Sequence, residues 1–292
     1  MSRRRRKEGG MNYLVLLIIF IILLALGLLV AAGYYTAGGK GLFDRPDGEL
    51  RAGAGAQVET QARIQIAEAR AKAEEAAREA REEEEKKKLP EVDPALRLPN
   101  TVDFAALWDQ NEDVYAWITV PGTLVDYPIL QHPTDDEYYL NHTIDHVKGL
   151  PGSIYSEAIH SKDFSAANTI LYGHNMKNDT MFGSLHDYEN AAFFEEHPYV
   201  YIHLPDRTLL YQIFSAVIFR SVYLPNYLNY EEEAGFQAYV EELKESPGYM
   251  NSEMEPSFGD HLLTLHTCIG HDENHRYLVV GVLVGEYGKE SA

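Results

Sequence analysis

The residues with the clearest chemical potential lie near the end of the chain. Cys268 is the only cysteine in 292 residues, and it ends the string Thr-Leu-His-Thr-Cys at residues 264–268, with Arg276 eight residues further on. A lone thiol has no partner for an internal disulfide bond. It is therefore either an inert, buried side chain or a nucleophile, and a nucleophilic cysteine needs a neighbour, usually histidine, that raises its thiolate fraction.

Position along the chain singles out one histidine of the 12 that the sequence contains. His174 follows a strand-like segment, 169–172, through Gly173 and precedes a polar segment, 175–179. Catalytic groups are commonly placed where a strand gives way to a loop. His174 is therefore the candidate partner of Cys268, and a structural or solvated role is the alternative.

The N-terminal part predicts where these residues act. Residues 14–32 form an apolar run without a charge, which predicts a transmembrane anchor over 14–33; a cleaved signal peptide is the alternative. The cationic residues 3–7 predict that the tail 1–13 is cytoplasmic and that the remainder lies outside. The formal net charge of −20 argues against nucleic-acid binding, which depends on Lys and Arg.

Two segments of biased composition separate the anchor from the C-terminal domain. Residues 34–56 are rich in glycine and predict a flexible linker. Residues 57–97 carry many Glu and Lys or Arg pairs at the i,i+4 spacing of a solvated helix. The near absence of an apolar seam favours a charged helical spacer over a coiled coil, and Pro90, Pro94 and Pro99 end it.

The remaining residues, 98–288, predict one catalytic domain that is mainly β with helices. Phe236, Tyr239, Val240 and Leu243 recur at helical spacing, which predicts an amphipathic helix over 231–245. A short opening helix is expected near Phe104, with Thr101 as its N-cap. Several short strands with few helices favour a barrel. The strand candidates are 117–120, 169–172, 199–204, 208–219, 262–265 and 277–284, with a hairpin turn at 205–207.

Several motifs in this order resemble the class B sortases. They are Leu-Tyr-Gly-His-Asn-Met at 171–176, Met-Phe-Gly-Ser-Leu at 181–185, and the string at 264–268 followed by Arg-Tyr-Leu-Val-Val at 276–280. Residues 117–123, 125–129 and 138–142 resemble the opening strands of the same family. The resemblance extends over about residues 102–284, and a basic N-terminus, an anchor and an external domain fit it as well.

The resemblance implies an eight-stranded sortase-type β-barrel with an N-terminal helical segment and a helix in the loop before the cysteine strand. It implies a membrane-anchored cysteine transpeptidase of the bacterial cell membrane, with its catalytic domain outside the cell. Such an enzyme cleaves a C-terminal sorting signal of secreted proteins through a thioacyl intermediate. It then joins the new carboxyl end to an amine of the cell wall, typically on a peptidoglycan precursor, and it needs no cofactor.

Carried over motif by motif, Cys268 is the nucleophile, His174 the general acid and base, and Arg276 the group that orients substrate and stabilises the oxyanion. A guanidinium suits the last role, because it stays charged at any working pH and donates several hydrogen bonds. A plain surface charge is the alternative for Arg276.

Two neighbours of the cysteine are candidates for substrate binding. His266 stands where the resembled family commonly has serine, and in an extended strand it shares a face with Cys268. Its titratable ring is expected to alter the recognised motif or to compete with His174 for the proton. Thr267 is the second candidate, for positioning the thiol or the substrate. We predict no zinc site at His266, His271 and His275, since no helix presents them and no further ligand is evident.

Other functions use similar residues. A pilin-polymerising sortase would take a lysine of another subunit as acceptor. A hydrolytic cysteine peptidase or peptidoglycan amidase would take water, and a surface-binding module would be catalytically silent. The string Leu-Pro-Asn-Thr at 98–101 resembles a sorting motif, but it lacks the trailing apolar segment and basic tail of a sorting signal. An ordinary helix entry is the preferred interpretation.

Overall fold

The computed structural model describes residues 89–289, together with Gln65, Ala69 and Lys72. These three residues are helical and exposed. The predicted tail, anchor and linker, and most of the predicted spacer, lie outside the described residues and stay predictions. Within the described part of the chain, no helix is both long and apolar enough to cross a membrane.

Regular structure in residues 89–289 is mainly β. The helices are α1 (Phe104–Gln110), α2 (Ala191–Glu196) and α3 (Glu233–Glu245), with 3-10 turns at Pro94–Leu96, Tyr138–Leu140, Gly183–Glu189 and Leu224–Asn226. The strands are β1 (Val114–Thr119), β2 (Asp126–Leu130), β3 (Ile154–Tyr155), β4 (Asn168–Tyr172), β5 (Tyr199–His203), β6 (Arg207–Arg220), β7 (Gly248–Met250), β8 (Leu262–Ile269) and β9 (Asp272–Gly288).

Eight of these strands close into a barrel. Their order is β5-β1-β2-β3-β4-β8-β9-β6, and β6 pairs again with β5 to complete the ring. The pairs β2–β3 and β4–β8 are parallel and the others antiparallel, so the barrel is mixed. The short β7 pairs with β6 outside the ring. The predicted eight-stranded barrel is therefore confirmed, and closure leaves those eight strands without an open edge in the ring.

Alternation along the strands separates two apolar clusters. In β8, Leu263 and Leu265 point into the barrel interior, whereas Leu262 belongs to a second cluster that also contains the buried face of α3. Strand side chains alternate between faces, so His266 and Cys268 lie on the same outer face as Leu262. Helix α3 covers the beginning of that face, where the Tyr239 hydroxyl is 3.0 Å from the Thr264 hydroxyl oxygen. The cysteine lies where this cover ends.

Both predicted helices are present, and one predicted cap is wrong. The buried residues of α3 are the four expected ones, Phe236, Tyr239, Val240 and Leu243. The N-cap of α1 is Asp103, because its carboxylate accepts a hydrogen bond from the Ala106 N–H at 3.1 Å. The helix therefore starts two residues beyond the position that a Thr101 cap would require.

Candidate active site

Cys268 and Arg276 are direct partners across the hairpin formed by β8 and β9. Directly opposed residues of antiparallel strands carry their side chains on one face, with Cβ atoms about 5 Å apart. The Cys268 side chain is exposed. Pairing shifts after Cys268, and the next pair joins Ile269 to Asp272, because the chain turns at Gly270 with φ +46°.

Strand β4 brings the His174 segment to the other side of β8. The two strands are parallel, with Tyr172 paired to His266, and the Gly173 N–H donates to the His266 carbonyl at 3.3 Å. β4 ends at Tyr172, and the register of the two strands directs the following residues, with His174, toward the level of Cys268 on β8. The Asn175 side chain reaches that level, since its Nδ2 donates to the Cys268 carbonyl oxygen at 3.0 Å.

A main-chain carbonyl fixes which nitrogen of His174 carries the hydrogen. Nε2 of His174 lies 2.7 Å from the carbonyl oxygen of Leu140, which can only accept. Nε2 is therefore protonated, and Nδ1 is the nitrogen left to exchange a proton with the cysteine or a substrate. Leu140 ends the 3-10 turn Tyr138–Leu140, so a segment remote in sequence orients the imidazole.

The turn between β8 and β9 holds the Arg276 guanidinium. Its Nη1 donates to the carbonyl oxygens of His275 at 2.7 Å and Glu273 at 3.2 Å. The same turn is tied by the Asp272 carboxylate, which lies 2.8 Å from Nδ1 of His275. Cross-strand pairing puts the permanently charged Arg276 side chain on the same face as the Cys268 side chain, at the tip of a braced hairpin.

His266 is placed beside the cysteine and kept neutral. Its ring packs edge-on against Tyr172, with 5.0 Å between ring centroids. Burial, followed by the charge of Arg276, lowers the pKa of His266 to about 4. A histidine with this pKa is in its neutral form near neutral pH and cannot act as a general acid there. The electrostatics therefore disfavour the expected competition between His266 and His174 for the catalytic proton.

Thr267 points to the barrel interior, away from the exposed thiol. Its side chain is 1% exposed, and its hydroxyl donates to the Gly173 carbonyl at 2.8 Å. The bond ties the cysteine strand to the residue before His174. This placement assigns Thr267 to holding the two segments together and gives no support to a direct substrate contact.

Comparison with known proteins agrees with this geometry. Residues 118–284 match the family model described as a sortase domain. The chain belongs to the sortase family. It is 32% identical over 176 residues to the sortase B of Listeria monocytogenes, which covers 60% of this chain and 71% of that protein. It is 31% identical over 167 residues to the sortase B of Staphylococcus aureus, covering 56% of this chain and 67% of the relative.

Solved structures give the same class. A substrate complex of the S. aureus sortase B superposes with a TM-score of 0.56 at 29% identity, covering 62% of this chain and 84% of that one. The sortase B of B. anthracis in complex with AAEK1 gives a TM-score of 0.56 at 28% identity, with coverage of 62% and 84%. The predicted class B sortase, a cysteine transpeptidase family, is thereby confirmed.

Two stacked tyrosines and a buried carboxyl lie near Cys268, and sequence reasoning missed them. Tyr155 and Tyr172 stack with 5.3 Å between centroids, and Tyr155 lies close enough to Glu157 and Cys268 that their charges add to burial in raising its pKa. Burial raises the pKa of Glu157, which accepts a short hydrogen bond from Tyr223. These residues lie in three segments that are far apart in the sequence, so no local motif predicts that they come together.

The histidines at 266, 271 and 275 lie on β8, on the turn and on β9 of the hairpin that carries Cys268. Within residues 89–289, no group of three or more His, Cys, Asp or Glu side chains is arranged to hold a metal ion.

Two other polar side chains, Asn175 and His186, contact the main chain of Cys268 and were not predicted. The adjacency of Asn175 to His174 was the only available signal for them.

Proposed function

We propose that this sortase cleaves a C-terminal sorting signal of secreted proteins and transfers the acyl group to an amine of the cell wall. Cys268 is the proposed nucleophile, His174 the acid and base, and Arg276 the oxyanion-stabilising group. One observation carries the proposal: the cross-strand pair of Cys268 and Arg276 stands beside the segment that bears His174. The predicted anchor at 14–33 would hold the domain outside the bacterial membrane.

The first half of the reaction forms a thioester. The Cys268 thiolate attacks the scissile carbonyl carbon, and the electron pair of the C=O bond moves onto oxygen. Arg276 donates hydrogen bonds to this oxyanion, which needs stabilisation in the transition state more than the neutral carbonyl does. The C–N bond then breaks, and His174 gives its Nδ1 proton to the departing amine nitrogen.

The second half transfers the acyl group. An incoming amine attacks the thioester carbonyl, and neutral His174 accepts a proton from that amine. Collapse of the second tetrahedral intermediate expels the Cys268 thiolate, so the enzyme returns to its starting state. The balance of the reaction is one amide bond broken and one amide bond formed, and no cofactor takes part.

Peptide ligation by the full-length protein in detergent tests the proposal. The protein is incubated with a library of sorting-signal peptides, with and without amine acceptors that represent peptidoglycan cross-bridges and pilin lysines, beside Cys268→Ala. Intact-mass spectrometry is expected to show an acyl adduct on Cys268 and an amine-dependent product. Cleavage that amine does not change would mean a hydrolase, preference for the pilin lysine would mean a pilin polymerase, and activity of Cys268→Ala would overturn the nucleophile.

A further inference from the structure

The carbonyl oxygen of Cys268 is held by side chains from outside its own hairpin. Nδ2 of Asn175 and Nε2 of His186 each lie 3.0 Å from it. Asn175 belongs to the loop after β4, and His186 belongs to the 3-10 helix Gly183–Glu189. The contact falls where the pairing of β8 with β9 shifts, between Cys268 and Ile269. The peptide unit next to the nucleophile is therefore fixed from two other parts of the fold.

A carboxylate and an aromatic ring orient His186. Nδ1 of His186 lies 2.6 Å from Oε1 of Glu189, and its ring stacks on Tyr277 with 4.8 Å between centroids. A carboxylate only accepts hydrogen bonds, so Nδ1 carries a hydrogen and Nε2 faces Asn175 and the carbonyl. Glu189 thus sets both the tautomer and the direction of the ring.

Both protonation states of His186 preserve the hold on the carbonyl. Nδ2 of Asn175 lies 2.9 Å from Nε2 of His186. When His186 is neutral, one Asn175 N–H binds Nε2 and the other binds the Cys268 carbonyl. When His186 is protonated, Nε2–H donates to the carbonyl itself, and Asn175 donates alongside it. Glu189 and His186 therefore stay linked to the Cys268 carbonyl in either case, through Asn175 when His186 is neutral and directly when it is protonated.

We propose that Asn175 and His186, with Glu189 behind His186, are positioning residues that set the geometry between the Cys268 thiol and His174. We call this set the carbonyl clamp; it rests on the proposed role of Cys268 as nucleophile. Asn175 directly follows His174 in the chain, so a single amide joins the segment of the base to the main chain of the nucleophile.

The location of the clamp argues for a role in geometry rather than in stability. The side chains of His186 and Glu189 are 22% and 54% exposed. A hydrogen-bonded pair so near the surface is expected to contribute about 0–1 kcal/mol to stability, so we expect its loss to leave the fold largely intact. A small displacement of a reacting atom, by contrast, can lower a rate by about a hundredfold.

Steady-state kinetics of full-length variants in detergent tests the clamp. We expect Asn175→Ala and His186→Ala each to lower kcat for acyl-enzyme formation about tenfold, with KM changed less than about twofold. The double variant should lose little more than either single variant, because both act through one carbonyl. His186→Gln, whose amide retains a donor, should recover part of the loss. Melting temperatures and the rate of Cys268 alkylation are measured on the same samples.

Glu189 offers a matched pair of variants. Glu189→Gln should lower kcat several-fold, whereas Asp187→Asn removes the same charge from the same 3-10 helix and should not change it. The clamp is overturned by single variants with wild-type kcat, by losses that follow the melting temperature, or by effects that multiply in the double variant. Activity retained by Cys268→Ala would instead overturn the nucleophile, and the clamp with it; an inactive Cys268→Ala beside unaffected clamp variants would overturn the clamp alone.

Discussion

Cys268 and Arg276 stand opposite one another because a tight turn joins their strands. The pairing runs from Leu262 with Val282 to Cys268 with Arg276 and shifts only at the turn, where Ile269 meets Asp272. The eight-residue spacing between Cys268 and Arg276 in the sequence is therefore the length of chain that forms the end of this hairpin. The register keeps the Arg276 side chain on the same face as the thiol, which is the relationship on which the proposed oxyanion stabilisation depends.

Removal of the guanidinium should act on the transition state. We expect Arg276→Ala to lower kcat/KM by about 10²-fold or more, because loss of one oxyanion donor in other enzymes has that effect. Arg276→Lys should recover only part of the activity, since an ammonium lacks the planar fork of donors. Peptide ligation rates measure the effect, and Arg207→Ala, at the far end of the β6–β9 pair, is the control. Wild-type activity in Arg276→Ala would contradict the assigned role.

The lack of a side chain at Gly152 is expected to keep the Leu140 carbonyl, which accepts the hydrogen bond of His174, in its position. It adopts φ +66°, and a Cβ there would lie 2.6 Å from the carbonyl oxygen of Leu140. Gly152→Ala should therefore displace this carbonyl and lower kcat, in addition to the strain of a positive φ. Gly149→Ala is the matched control, because Gly149 also has a positive φ, +138°, but a Cβ there would meet no described atom within 4 Å beyond its chain neighbours. Equal kcat values for the two variants would refute the steric argument.

His266 should not shape the pH dependence of the reaction. Its pKa of about 4 lies below the ordinary value, so the ring gains a proton only as the pH falls below about 5. We expect His266→Asn to change substrate preference or KM while the kcat/KM profile keeps its shape between about pH 5.5 and pH 9. Loss of either limb of the profile in this variant would show that His266 takes part in proton transfer.

The hydrogen bond from the Thr267 hydroxyl to the Gly173 carbonyl should contribute to the stability of the folded protein. Thr267→Val keeps the shape but leaves the Gly173 carbonyl without this donor, so urea unfolding should show a loss of about 1–2 kcal/mol. Thr169→Val is the control, because the Thr169 hydroxyl is buried with no hydrogen-bond partner among the described residues. That control should be neutral or stabilising. A Thr267→Val protein as stable as Thr169→Val would mean that the bond contributes nothing.

Local patterns predicted the longer elements of the fold. The apolar spacing of Phe236 and Tyr239 identified α3, and β-branched and aromatic runs identified β1, β4, β5, β6, β8 and β9. Strands β3 and β7, of two and three residues, carry too little pattern to be recognised. The cap at Asp103 was missed because both it and Thr101 have side chains that cap helices, and only the backbone decides between them.

Sequence motifs nominated the residues of the candidate site. The single cysteine and the strand-to-loop position of His174 pointed to two candidates, and the resemblance of the motifs around 171–176, 264–268 and 276–280 to the class B sortases added Arg276 and the role of each. Tertiary structure alone decided how they are held. The parallel pairing of β4 with β8, the Leu140 carbonyl on His174 and the contacts of Asn175 and His186 with Cys268 join segments that are 34 to 94 residues apart. Such contacts depend on barrel closure, which no short stretch of sequence encodes.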